Sequence, residues 1–136
     1  KYFPNNPATT PTVLGLTNGA TTFYEHEVGF DDDGTAMTAF ITSGDFDIQD
    51  GQQMLSISRG IPDFKDQVGD TTVKLGFKSF PSQTATTISR NITTSTTKFD
   101  LRGRGRQANV DIRSTDVGAN WRYGTLRLDV KPDGGR

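Results

Sequence analysis

The chain has no cysteine, so neither a disulfide framework nor a thiolate zinc site is available to it. It has little apolar matter: 32% hydrophobic residues and a mean hydropathy of -0.56. No apolar run approaches the ~20 residues that cross a bilayer, so no membrane insertion by this segment is expected. No basic-then-apolar signal stretch opens it. Histidine and tryptophan occur once each, as His26 and Trp121. Helix-forming composition is also thin, and no stretch places apolar residues at helical spacing.

What is present favours strands and turns. Thr and Phe suit strands, while Gly and Asp suit turns. The 136 residues fit one domain, in which about two-thirds of the unfolded surface can be buried. With so few apolar residues the core is expected to be thin and completed by neighbouring subunits. Residues 1–11 carry Pro4, Pro7 and Pro11 and read as an extended arm or linker. Residues 12–136 read as a single all-β domain, and the start at Lys1 as a fragment of a longer protein.

Three segments alternate as half-buried strands do. Val73, Leu75 and Phe77 share a face, as do Ala108, Val110 and Ile112, and Leu126, Leu128 and Val130. Residues 37–42, 53–59, 87–94 and 98–102 are further strands, with Ile88 and Ile92 marking an edge. Turn signals separate them at Asp33-Gly34, Asp50-Gly51, Pro62-Asp63, Gly69-Asp70 and Gly118. Parity adds detail. Phe99 and Leu101 are odd-numbered, yet Ala108, Val110 and Ile112 are even, so one strict strand would send one set to solvent. A bend or bulge near Gly103 and Gly105 restores the face. The same shift separates Trp121 from Leu126, with Gly124 between. Short strands with kinks predict an antiparallel sandwich or barrel-like fold.

Charge is uneven. Residues 1–68 hold three Lys or Arg against ten Asp or Glu, a net of -7; residues 69–136 hold twelve against six, a net of +6. Such asymmetry suits head-to-tail contacts between copies, and equally a solvated surface.

Catalytic and metal signals are weak. His26 lies between Glu25 and Glu27, but neighbours on a strand point to opposite faces, and a metal site needs convergent ligands. Asp31-Asp32-Asp33-Gly34 lacks the alternate spacing and later Glu of a calcium loop; Asp45, Asp47 and Asp50-Gly51 come closer to that alternation, and an aspartate-rich turn explains them equally well. No carboxylate pair is singled out for glycoside hydrolysis. Ser79 and Ser114 lack the glycine frame of a nucleophile elbow. Asn91-Ile92-Thr93 fits a glycosylation triplet, which Thr-rich chains produce by chance. The expectation is a protein with no catalytic residues, metal or cofactor.

Arg102, Arg104 and Arg106 form the sharpest charged feature. Extended, they share one face at about 6.5–7 Å intervals. Guanidinium forks bind phosphate or carboxylate equally well. Because the chain is slightly acidic overall, pairing with carboxylates is the preferred reading, with nucleic-acid contact the alternative.

Three ordered blocks carry a resemblance: Ile61-Pro62-Asp63-Phe64, then Lys98-Phe99-Asp100-Leu101-Arg102-Gly103-Arg104-Gly105-Arg106-Gln107, then Trp121-Arg122-Tyr123-Gly124-Thr125-Leu126-Arg127-Leu128-Asp129-Val130-Lys131-Pro132 and the residues to Arg136. Over roughly residues 37–136 the chain resembles the carboxy-terminal part of short-tailed phage tail hub or nozzle proteins, the packaged-DNA stabilisation family. The resemblance implies a structural virion protein, made in the host cytoplasm and placed in the tail. It implies a homo-oligomeric ring, expected to be a hexamer, below the portal and adaptor and beside other tail proteins. The ring would extend the DNA channel, touch packaged DNA without sequence preference, and help retain the genome until ejection. It also implies a larger β-propeller-like body to which this piece adds strands. In that picture Trp121, Phe99 and Phe77 anchor the core, and Arg102, Arg104 and Arg106 order a bend, line a subunit contact or face the channel. The rival classes are a carbohydrate-binding β-sandwich or adhesin module, and a β-fold polysaccharide enzyme.

Overall fold

A computed structural model describes the backbone of residues 14–16, 23–25 and 29–134, with side chains for residues 29–134. The extended arm expected over residues 1–11 and the His26 motif lie outside the residues so described. Twelve strands and no helix occur among the described residues: β1 Leu14–Leu16, β2 Phe23–Glu25, β3 Ala39–Thr42, β4 Phe46–Asp47, β5 Leu55–Ile61, β6 Phe64–Val68, β7 Thr71–Lys78, β8 Thr86–Ile92, β9 Phe99–Gly105, β10 Gln107–Ser114, β11 Asn120–Tyr123 and β12 Arg127–Pro132.

All pairings are antiparallel. One sheet runs β3-β10-β7-β8, with β4 continuing the β3 edge along β10; a second runs β12-β5-β9; β11-β6 and β1-β2 are two-stranded. The fold is all-β, as the composition and alternation predict. The barrel alternative is corrected: among the described residues neither main sheet closes on itself. Thin segments with few apolar residues lack the continuous alternation that a closed sheet needs on every strand.

The two main sheets bury one core between them. Leu55, Ile57, Phe99 and Leu101 come from the three-stranded sheet; Val73, Leu75, Phe77, Ile92, Ala108 and Ile112 come from the other. The alternation on β7 and β10 is the reason: every second residue faces inward, and Lys74, Lys78, Asp111 and Arg113 face out.

Two of the passages from one sheet into another fall at a parity break. Phe99, Leu101 and Gly105 point inward on β9; the next inward positions are Ala108, Ile112 and Ser114 on β10. The change falls at Arg106, whose N–H donates to the Lys78 carbonyl at 2.8 Å. Strands that switch sheets commonly turn at such a bend. The second passage runs from β11 to β12. There Gly124 N–H donates to the Asp63 carbonyl at 2.8 Å, and Thr125 N–H donates to Asp63 Oδ2 at 3.0 Å. Asp63 itself lies in the matching corner between β5 and β6, so one residue pins both strands of a bent ribbon.

The turns follow their residue chemistry. Asp33 and Gly34 take φ of 48° and 78°, and Asp32 and Thr35 exchange two backbone hydrogen bonds of 2.9 Å. That is the two-residue hairpin turn for which Asp-Gly is selected.

Candidate functional site

The arginine cluster divides by partner. Arg104 Nε lies 2.8 Å from Asp133 Oδ2, and its NH2 group donates to the Asp133 carbonyl at 2.8 Å. Arg106 donates to the carbonyls of Gly51 at 2.8 Å and Gln52 at 3.2 Å. Arg102 is exposed and makes no such bond among the described residues. Carboxylate pairing, the preferred sequence reading, thus describes Arg104; Arg106 instead ties the sheet switch to the turn after β4.

Arg102 and Arg104 stand on the outer face of the β12-β5-β9 sheet. Register places Arg104, Ser56 and Lys131 in one cross-strand row, and Asp100, Arg59 and Asp129 in the next. Arg59 reaches both neighbours, at 3.7 Å from Asp100 and 3.8 Å from Asp129. Arg127, opposite Ile61, continues the same face. The face is basic with carboxylates set among the cations.

The three aromatic anchors differ in depth. Phe77 and Phe99 are buried in the core. Trp121 is half-buried at its margin; its ring meets Phe64 edge-on at 5.8 Å, and Nε1 donates to the buried Ser114 Oγ at 2.9 Å. That bond satisfies the indole N–H and leaves a ring edge at the surface.

The exposed side of Trp121 borders a shallow cleft of about 290 Å³, lined also by Phe30, Met37, Ala39, Phe40 and Ala119. Phe40 is 64% exposed, Phe30 and Met37 are exposed beside it, and Ile41 is exposed on the other face of β3. This apolar surface lies along β3, whose side away from β10 pairs with nothing among the described residues. The sequence reading found the strand but missed the cleft, because Phe30 and Met37 flank a turn and Trp121 comes 84 residues after Met37 along the chain.

Three of the acidic residues, Asp31, Asp45 and Asp111, are engaged structurally. Asp45 accepts from Lys78 Nζ at 2.7 Å and Asn109 Nδ2 at 2.8 Å. Those bonds, Lys78 first, hold its carboxyl below the usual range. Asp111 is lowered chiefly by its bidentate bonds from Arg113, both 2.6 Å, with a further bond from Thr42. Arg113 is raised in turn by Asp111. Asp31 Oδ1 accepts from the Gly34 N–H at 3.2 Å, serving the turn. Among the described residues no three His, Asp or Glu side chains gather as metal ligands would.

No protein-family model matches the chain, and no curated protein matches it.

Proposed function

We propose that this chain is a structural subunit of a phage tail hub or nozzle, without catalytic residues. It assembles as a ring, expected to be a hexamer, extends the DNA channel and helps retain the packaged genome until ejection. The observation that carries the reading is the apolar edge at β3, unpaired among the described residues: a strand with exposed Ala39, Phe40 and Ile41, beside a cleft with Trp121 at its wall. Natural proteins cover or blunt such edges unless a partner occupies them. The resemblance of the three sequence blocks supports this choice of assembly. The carboxylates with displaced titration, Asp45 and Asp111, sit in ion pairs and hydrogen bonds that suit scaffolding.

The test is negative-stain imaging of the protein with and without its adaptor neighbour. Rings are expected. A particle that stays monomeric at high concentration and forms no ring with the adaptor would overturn the reading. The carbohydrate-binding alternative calls for a ring face open to a sugar. Here Phe64 meets Trp121 edge-on and Tyr123 at a 54° tilt. Calcium-dependent glycan-array binding would reverse that preference.

A further inference from the structure

The main sheets expose strand edges of different character. On β8, Arg90 shares inward parity with Ile88 and Ile92, and donates Nε to the Asp100 carbonyl at 2.8 Å. An inward charge on an edge discourages further pairing. On β12, Pro132 removes a donor, a register shift follows Asp129, and Arg127 and Lys131 lie within the strand. These too are edge-blunting devices. β3 has none of them: Ala39, Phe40, Ile41 and Thr42 carry no charge, no proline and no bulge. Ser43 N–H donates inward to Val110. Strand alternation therefore turns the N–H and C=O of Thr42 and Phe40 outward.

The sequence flanking this edge is of one sign, and the one cation opposite β3, Arg113 across from Phe40, is already paired with Asp111. Residues 29–58 hold six aspartates and no Lys, Arg or Glu. Asp32, Asp33, Asp47 and Asp50 are exposed and form no ion pair among the described residues. The opposite composition lies on the outer face of β12-β5-β9. Arg102, Arg127 and Lys131 are exposed there, likewise with no ion pair among the described residues, and Arg127 stands opposite the exposed Ile61 at the end of β5. The first surface is apolar with acidic residues in its flanking sequence; the second is basic with a few carboxylates, so the two are complementary in charge. This chain also repeatedly joins arginine to open backbone carbonyls, as Arg90, Arg104 and Arg106 do.

We propose that the β3 edge and its acidic flanking residues dock on the basic outer face of β12-β5-β9 of a second copy, with Arg102, Arg127 and Lys131 meeting the aspartates and the outward carbonyls of Phe40 and Thr42. Different patches meet, so the contact is head-to-tail and repeats into a ring where the rotation closes. The inference rests on the structural-subunit reading and names its interface. Carboxylates interspersed on the basic face, Asp100 and Asp129, favour a protein partner over a polyphosphate.

The test uses two charge-reversed forms of the whole chain. One carries Arg102→Glu, Arg127→Glu and Lys131→Glu; the other carries Asp32→Lys and Asp47→Lys. All five positions are exposed, and circular dichroism with thermal melts checks that both forms fold. Sedimentation should show each form alone associating about tenfold or more weakly than the natural chain. An equimolar mixture should regain association, because each reversed edge then meets a complementary face. Association unchanged in both forms, or no recovery on mixing, overturns this interface while leaving the subunit reading standing. A natural chain that never self-associates overturns both. Salt-sensitive DNA binding lost only in the first form, without self-association, assigns the basic face to nucleic acid instead.

Discussion

The ring of Phe77 occupies the space where Gly103 would carry a side chain: a Cβ there would fall 2.0 Å from two ring carbons. Phe77 belongs to the larger sheet and Gly103 to the smaller, so this contact sets how closely the two sheets approach. Phe99 fills the neighbouring notch over Gly60, where a Cβ would lie 2.2 Å from the ring. The two buried aromatics therefore each require a glycine.

Gly103→Ala is expected to destabilise the protein by about 3 kcal/mol, the upper part of the overpacking range. Gly44→Ala serves as the control, since nothing lies within 4 Å of a Cβ there. Urea unfolding measures both. Pairing Gly103→Ala with Phe77→Leu should recover part of the loss through coupling at the shared contact. Equal, small effects for Gly103 and Gly44 would show that the ring does not set the sheet separation.

This contact marks how far sequence reasoning reaches. Alternation on β7 and β10 was legible because each strand has one buried face, and the parity break near Gly105 located the passage between sheets. The glycines themselves were read as a bend, and Gly105 does lie at it, with backbone of Lys78 and Gln107 too close for a Cβ. Gly103 instead receives a ring from 26 residues earlier in the chain, which no local pattern can announce. β4 and β6 were missed for a related reason. β4 has two residues, and β6 reads Phe-Lys-Asp-Gln-Val with Asp66 at φ 54°, so neither alternates. Both are held by partners distant in sequence, β10 and β11.

Asp63 supplies a second prediction. Its carboxylate accepts the Thr125 N–H and packs where Gly124 has no side chain. Asp63→Ala removes one acceptor from an exposed corner and should cost about 1 kcal/mol. The backbone bond from Gly124 to the Asp63 carbonyl remains, so the strands on either side keep their pairing. Hydrogen exchange should accelerate at Thr125 far more than at the centre of β10. Uniform acceleration across the sheets would mean that the corner is not a local lock.

The Asp111–Arg113 pair predicts a pH dependence. Bonds from Arg113 lower the folded-state titration of Asp111 relative to the unfolded chain. A depressed carboxylate stabilises the fold above its unfolded pKa of about 3.9, and that stability disappears as pH falls through the folded value. Asp111→Asn should therefore melt lower than the natural protein at pH 7, by roughly 3 °C. The difference should narrow steadily below pH 4. Melting curves from pH 7 to pH 2 check this, and a gap independent of pH would remove the pair from the acid response.

Arg102 and Arg106 are four residues apart in the same Arg-Gly repeat, yet they should behave differently. Arg106 is half-buried and donates to the carbonyls of Gly51 and Gln52, which ties the sheet switch to the loop after β4. Arg106→Ala leaves those carbonyls without this donor and should cost about 1–2 kcal/mol. Arg102 is exposed and has no partner among the described residues, so Arg102→Ala should stay within about 0.5 kcal/mol. Chemical denaturation of the two variants at low protein concentration, where assembly does not contribute, isolates these effects. At high concentration the order should invert in the assembly readout: Arg102→Ala weakens association while its monomer keeps full stability. If the two arginines cost the same in both measurements, the division between a fold-locking arginine and a contact arginine is wrong.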